Sequence, residues 1–373
     1  MKIGVLTSSR ADYGIYLPLL KKLKCDIYFN IEIIAFGTHL SKSHGYTLNE
    51  IIKDSYNCIH TISSLISNDD EQSIATSYGL TVLKFVDFWQ SNKYDLVFCL
   101  GDRFEMSAAV QAGIPYNVKF AHIHGGETTL GAIDNVYRHQ ITLSAFLHFT
   151  ATKVFSEKVE QLLGSSANVF EVGALSLDGI EDFKPLEKKV FHQKYKIPEQ
   201  DFALITFHPE TRSSKSNISL AREMRNGLSK IIDKLYLVIT MPNADTMGSI
   251  FRDEIEKLRL EFPNRVLHIE NFGKINYFTA MNYSKLLIGN SSSGILEAAT
   301  FGKYVVNVGD RQKGRLQNSN VLNSNFNSES ILENTIMALN LGEYTRENIY
   351  VKKDTAQQIL SLIKKYHVKA RKV

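Results

Sequence analysis

The chain has 373 residues, 44% of them hydrophobic and 22% charged, with 43 Lys+Arg against 39 Asp+Glu and a formal net charge of +4. That length predicts two domains, at most three, the apolar fraction argues against a disordered or fibrous chain, and so small and dispersed a charge surplus is no nucleic-acid footprint by itself. Three scattered cysteines (Cys25, Cys58, Cys99) without a CxxC pair argue against a disulfide framework or a structural zinc site, and no apolar run reaches the ~20 residues of a membrane helix.

The apolar stretch after Met1 is too short for a signal peptide, so a soluble cytoplasmic protein is expected. Residues 2–6 read as a buried strand. The turn Thr7-Ser8-Ser9-Arg10 follows, then a helix with apolar positions Leu19, Leu20 and Leu23. Residues 31–36 form a second strand, closed by Gly37. A helix is expected over 76–91 with Leu80, Val82, Leu83 and Phe85 as its apolar positions. Residues 96–100 are a strand ending in Gly101-Asp102-Arg103, 106–112 a helix, and 119–124 a strand ending at Gly125-Gly126. Two more strands fall near 147–151 and 169–172. Residues 181–200 are charged, carry Pro185 and Pro198, and read as a linker or surface segment. A second series follows, with strands over 203–207, 235–240, 267–270, 286–289 and 304–308 and closing helices over 331–341 and 356–366.

Continuous apolar strands alternating with helical stretches predict parallel α/β sheets covered on both faces. The expected fold is α/β, with two Rossmann-like domains. We assign an N-terminal domain to 1–175, a C-terminal nucleotide-binding domain to 176–352, and to 353–373 a last helix packing back on the first domain. Polar loops at the carboxyl ends of the strands, facing one another, would form a ligand cleft.

Several of those loops carry chemistry. Ser291-Ser292-Ser293-Gly294, running into a helix with Glu297 one turn in, reads equally as an N-cap and as an anion nest. Here Gly294 would allow close ligand approach, and Glu297 would accept from ribose hydroxyls. Arg311, with Lys313 and Arg315, follows the next strand; such cations clamp phosphates or are simply solvated. His208, as a lone histidine after a strand, favours a structural role over a catalytic one. Arg10 and Asp12 suit a diphosphate and its orientation, or a helix cap. At Asp102-Arg103 the Asp102 carboxylate is poised over the cleft or caps the next helix. The densest segment, 122–139, holds His122, His124, Glu127, Asp134, Arg138 and His139 among three glycines. Asp134 and Arg138 are spaced to pair at i, i+4, and the composition favours proton transfer over metal binding.

Taken in order, Ser9-Arg-Ala-Asp-Tyr13, Gly101-Asp-Arg103, His122-Ile-His-Gly-Gly-Glu127, Ile133-Asp134 with Arg138-His139, His208-Pro209, Asn290-Ser-Ser-Ser-Gly294 with Glu297, and Gly309-Asp-Arg311-Gln resemble the hydrolysing UDP-N-acetylglucosamine 2-epimerases of sialic and legionaminic acid biosynthesis. The resemblance spans about residues 1–340. It implies a GT-B arrangement and elimination of UDP to a 2-acetamidoglucal, to which water adds. It implies neither nicotinamide nor any other cofactor, no metal, no nucleic-acid or membrane partner, and a homodimer or homotetramer.

Carried over by position, the catalytic set is Asp102, His124, Glu127, Asp134, Arg138 and His208. The substrate and nucleotide set is Arg10, Asp12, Arg103, His139, Asn243, Phe272, Ser291, Ser292, Ser293, Gly294, Glu297 and Arg311. One departure stands out. Many relatives carry Glu where this chain has His124, so either His124 or Glu127 supplies that function, or the sugar differs at C4, as in relatives acting on N,N′-diacetylbacillosamine.

Overall fold

The computed structural model describes residues 1–66, 68, 70–130, 132–210, 216–242 and 247–370. It divides into two compact units. The first comprises Met1–Glu127, Asp134–Glu181 and Tyr350–Val373; the second comprises Thr128–Ile133 and Asp182–Ile349.

The first unit is built on a seven-stranded sheet: β1 (Lys2–Thr7), β2 (Asn30–Phe36), β3 (Cys58–Ile62), β4 (Leu96–Leu100), β5 (Phe120–Ile123), β6 (Leu147–Thr150) and β7 (Val169–Glu171). All pairs are parallel, in the order 3-2-1-4-5-6-7. The second carries β8 (Phe202–Thr206), β9 (Tyr236–Thr240), β10 (Val266–Ile269), β11 (Leu286–Gly289), β12 (Val305–Val308) and β13 (Val321–Ser324), parallel in the order 10-9-8-11-12-13. Each sheet therefore reverses its strand order once, between β1 and β4 and between β8 and β11. Open α/β sheets bind ligands at that reversal. The expected pair of Rossmann-like α/β units is what the chain forms.

Every residue of β4, β5, β6, β8, β9, β11 and β12 is buried. That is why these strands read as unbroken apolar runs. Helix Arg10–Cys25 supplies Tyr16, Leu19, Leu20 and Leu23 to one face of the first sheet, and helix Thr355–Ala370 adds Ala356, Ile359, Leu360 and Ile363 to the same cluster. On the opposite face Phe85 and Trp89 pack with Phe36 and Phe120.

Helix Glu71–Ser91 departs from its expected pattern. Leu80 and Leu83 point outward, 36% and 66% exposed, while Ser77, Thr81, Phe85 and Trp89 face inward at a spacing of four. The two small hydroxyls fit because both are hydrogen-bonded: Thr81 to Ser64 at 2.7 Å, and Ser77 from the Ile66 amide at 2.9 Å. The segment read as a linker contains helix Lys188–Tyr195, which buries Phe191 and His192.

Candidate active site

In the first unit three loops leave the carboxyl ends of β1, β4 and β5. The β1 loop is tied by Asp12. Its carboxylate accepts from the Ser8 and Ser9 amides, both at 2.8 Å, and from the Ser9 hydroxyl at 2.9 Å, closing a capping box on helix Arg10–Cys25. Asp12 is thus the clamp of the turn rather than a group turned toward a diphosphate. Buried His39 braces the same loop, with Nε2 2.9 Å from Thr7 Oγ1 and Nδ1 2.8 Å from Thr47 Oγ1. Burial, the largest effect, lowers its pKa. Sequence reading passed over His39, because its partners lie far along the chain. Arg10 opens the helix behind this turn.

After β4, Gly101 turns the chain at φ +74, and Asp102 and Arg103 follow. Arg103 is occupied by its neighbour: Nε and Nη2 donate to the two oxygens of buried Glu105 at 3.2 and 3.0 Å. Asp102 is paired with Arg138.

The β5 loop carries the acid–base groups. His122, inside the strand, is locked between the Gly101 carbonyl at 2.9 Å and Thr142 Oγ1 at 3.1 Å. Complete burial pushes its pKa down to about 3, so it is a neutral structural residue. His124 lies just past the strand with a left-handed backbone, φ +66, so strand alternation no longer sets its direction. Its Nδ1 is 2.6 Å from Glu127 Oε1, and both side chains are buried. Its Nε2 is buried and has no hydrogen-bond partner among the described residues. Glycine is required at 126, where φ is +80 and a Cβ would lie 2.2 Å from the Phe155 carbonyl oxygen.

Helix Asp134–Ser144 brings in Arg138, 1% exposed. It donates from Nη1 to the His124 carbonyl at 2.8 Å, lies 3.8 Å from Glu127 Oε2, and pairs through Nη2 with Asp102. Arg138 therefore turns toward the β4 and β5 loops, not back along its own helix to Asp134 as the i, i+4 spacing suggested. Asp134 forms the first residue of that helix. His139, one position on, faces solvent, and burial followed by the Arg138 charge lowers its pKa. Asp102, His124, Glu127 and Arg138 thus form one connected cluster.

In the second unit the loops after β8 and β11 are stitched together. Asn290 accepts from the His208 amide at 2.7 Å and donates to its carbonyl at 2.8 Å. The Asn290 carbonyl accepts from Gln312 Nε2 at 2.8 Å and from Arg311 Nη1 at 3.2 Å. Ser291 caps the short helix Ser292–Leu296, and its hydroxyl lies 3.1 Å from that of Ser293, which meets Tyr277 OH at 2.6 Å.

Gly294 has a different reason from the expected one. A Cβ there would meet Val305 Cγ1 at 2.9 Å, so the glycine lets the helix pack on β12. Glu297 is buried at the carboxyl end of that helix. Of the three cations, Arg315 turns inward to Gln312 at 2.8 Å and Lys313 lies 3.5 Å from Asp310. Phe272 is buried in an aromatic cluster, stacked on Phe191 and edge-on to Tyr195, and so packs rather than presenting a ring to substrate. Asn243 lies outside the described residues. Asn290 and Gln312 stand in sequence motifs that give them no role, and Tyr277 stands in none, because what these residues do depends on partners in other loops.

Residues 21–364 match the family model described as UDP-N-acetylglucosamine 2-epimerase. The chain belongs to the UDP-N-acetylglucosamine 2-epimerase family. A Legionella pneumophila UDP-N,N′-diacetylbacillosamine 2-epimerase (hydrolysing) is 32% identical over 97% of this chain and 95% of its own. A Campylobacter jejuni GDP/UDP-N,N′-diacetylbacillosamine 2-epimerase (hydrolysing) is 32% identical over 87% of this chain and 85% of its own. Among solved structures, the Neisseria meningitidis UDP-GlcNAc 2-epimerase bound to UDP-GlcNAc superposes with a TM-score of 0.80 at 17% identity, covering 98% of this epimerase-family chain and 100% of its own. The fold is thus shared far beyond the reach of sequence identity.

Proposed function

We propose that this protein is a hydrolysing 2-epimerase of a nucleotide-activated 2-acetamido sugar, releasing nucleoside diphosphate and the free sugar with inverted C2. The observation that carries the reading is the buried His124–Glu127 pair, with one imidazole nitrogen held and the other unpartnered among the described residues, in a chain of this family. The C2–H bond breaks and its proton passes to a base. The C1–O bond breaks, and its electron pair leaves with the β-phosphate as the C1=C2 bond of a 2-acetamidoglucal forms. Water then adds its oxygen to C1, and a proton returns to C2 on the opposite face.

Inversion requires acid–base groups on both faces of the sugar. We assign His124 Nε2, oriented by Glu127 through Nδ1, to one face and the carboxylates Asp102 and Asp134 to the other, with Arg138 fixing Asp102 and the β5 loop. The serine loop 291–293, Arg311, Arg10 and His208 would receive the departing diphosphate, and Glu297 the ribose. No cofactor enters these steps.

We place N,N′-diacetylbacillosamine, on UDP or GDP, ahead of N-acetylglucosamine as the sugar, because two relatives at 32% identity are named for it, against one at the same identity named a polysialic acid biosynthesis protein. The product then feeds nonulosonic acid synthesis of the legionaminic type; N-acetylglucosamine would feed the sialic type. Among the described residues no helix is long and apolar enough to cross a membrane. A cytoplasmic location and a homodimer or homotetramer belong to the same proposal, supported by the family resemblance.

Incubation with UDP-N-acetylglucosamine and with UDP- and GDP-N,N′-diacetylbacillosamine in deuterated water tests the reading. Free nucleotide and a 2-epimerised sugar deuterated at C2 are expected, with the diacetylated donor turned over fastest. A donor left intact without acceptor would point to a glycosyltransferase. A deuterated nucleotide sugar without free nucleotide would point to the non-hydrolysing reaction.

A further inference from the structure

A second cluster of reactive side chains sits on the first sheet, away from the loops just described. Glu32 on β2 is the register partner of Cys58 on β3, and His60 follows two residues later on the same face of that edge strand. His60 Nε2 lies 3.0 Å from Glu32 Oε2 and 3.3 Å from Cys58 Sγ. One ligand atom from each of the three falls within 4.8 Å of the other two, the one such group among the described residues. We propose that Glu32, Cys58 and His60 form a binding site for a borderline-soft divalent cation, of which Zn²⁺ is the best match.

The chemistry of the donors carries the argument. A neutral imidazole nitrogen offers either one proton or one lone pair, yet Nε2 faces a carboxylate oxygen and a sulfur at once. A cation at the centre uses a lone pair from all three. With bonds of about 2.0–2.3 Å, the edges of a tetrahedral zinc site are about 3.4–3.7 Å. The two separations from His60 Nε2 therefore need open by only a few tenths of an ångström, and the Glu32 and Cys58 ligand atoms already lie within 4.8 Å of one another. Mixed S, N and O donors select zinc over magnesium or calcium.

The second sphere is in place. Lys2 holds Glu32 through the other oxygen at 2.9 Å, and Tyr94 OH donates to Oε2 at 2.7 Å. The His60 ring is set edge-on against Phe88. His60 and Glu32 side chains are 28% and 12% exposed, which leaves a route for the ion and room for water as the fourth ligand. On binding, the Cys58 S–H bond breaks, its proton goes to solvent, and a metal–sulfur bond forms with no change of oxidation state. In parallel strands, Cys58 and Lys2 begin β3 and β1, so the cluster lies toward the amino edge of the sheet, opposite the acid–base loops. Sequence spacing cannot reveal it, since Glu32 and Cys58 meet only through strand pairing.

Titration of the metal-free protein with Co²⁺ is the direct test. A near-ultraviolet thiolate-to-cobalt charge-transfer band that saturates at one equivalent, and is displaced by Zn²⁺, is expected. Cys58→Ser should abolish the band, His60→Gln should weaken binding by about 100-fold or more, and Cys25→Ser should change neither. No band in the wild type, a band retained in Cys58→Ser, or a band lost in Cys25→Ser overturns the proposal. A second measurement needs no variant. Alkylation of the native protein, resolved by peptide mass spectrometry, should slow at Cys58 by at least about tenfold when Zn²⁺ is present and stay constant at exposed Cys25. Equal rates at Cys58 with and without Zn²⁺ overturn it, even where a variant fails to fold.

Discussion

His124 adopts a left-handed backbone that a side chain holds only at a cost of about 1–3 kcal/mol. The fold sustains it through the His124 amide, which donates to the Phe149 carbonyl at 3.0 Å, and through Arg138 on its own carbonyl. Such a position suits a residue whose side chain must face away from the core of the sheet. His124→Gln should lower kcat by about 10²–10⁴-fold, the scale of one acid–base group, while UDP binding stays within a few-fold. An unchanged kcat would remove His124 from the mechanism. The buried histidines set a separate behaviour. His122 and His148 are held neutral, with pKa values pushed down by burial to about 3 and about 4. Below the unfolded value of about 6.5 only the unfolded chain takes up these protons. The contribution is complete above pH ~6.5 and lost as the pH falls toward 4 and 3. Urea titrations should show stability declining across that window, and a flat profile would contradict the assignment. At this scale the sequence shows which residues carry chemistry but not their partners. Asp12 reads as either cap or ligand until the amides of Ser8 and Ser9 are seen to claim it, and Arg138 reads as a partner of Asp134 until Asp102 and Glu127 appear beside it.

At the level of elements, the glycines after the strands are where the loops are decided. An alanine at 289 would put its Cβ 1.9 Å from the Thr206 carbonyl oxygen at a φ of +138, and one at 126 would collide with the Phe155 carbonyl. Gly126→Ala should therefore displace Glu127 from His124 and lower kcat by at least about tenfold, in a protein that still folds. Gly289→Ala, at the junction of β8 and β11, should instead destabilise the second unit by about 2 kcal/mol or more in chemical denaturation. The central strands are legible in the sequence because burial on both faces leaves unbroken apolar runs. Edge strands β3 and β13 are not: Cys58-Ile-His-Thr-Ile62 and Val321-Leu-Asn-Ser324 are partly exposed and mix polar with apolar residues. Helix Lys188–Tyr195 is hidden for the opposite reason, since a charged stretch between prolines conceals Phe191, its one fully buried ring.

Across the whole molecule, both units repeat one strand order, and each places its polar residues at its own point of reversal. Two parallel α/β units with polar loops at their strand ends follow from alternating apolar runs and helical spacing; the strand order does not. The last helix, assigned from sequence to 353–373 and to the first domain, is Thr355–Ala370; separated from helix Arg10–Cys25 by the entire second unit, it shares that helix's core. Ile359, wholly buried there, tests the arrangement: Ile359→Ala should cost about 2–5 kcal/mol. Faster amide exchange in Arg10–Cys25, and no change in Phe202–Thr206, would locate the loss in the first unit; uniform exchange across both would argue against it.

This shared core also orders events during synthesis. The apolar face of Arg10–Cys25 emerges from the ribosome early, yet the segment that covers it is translated only after the entire second unit, on the order of tens of seconds later at about 5–20 residues per second. Residues 182–349 complete their own sheet in the interval. The nascent chain can therefore hold a finished second lobe while its first still lacks a wall, leaving the apolar face of Arg10–Cys25 uncovered through that interval.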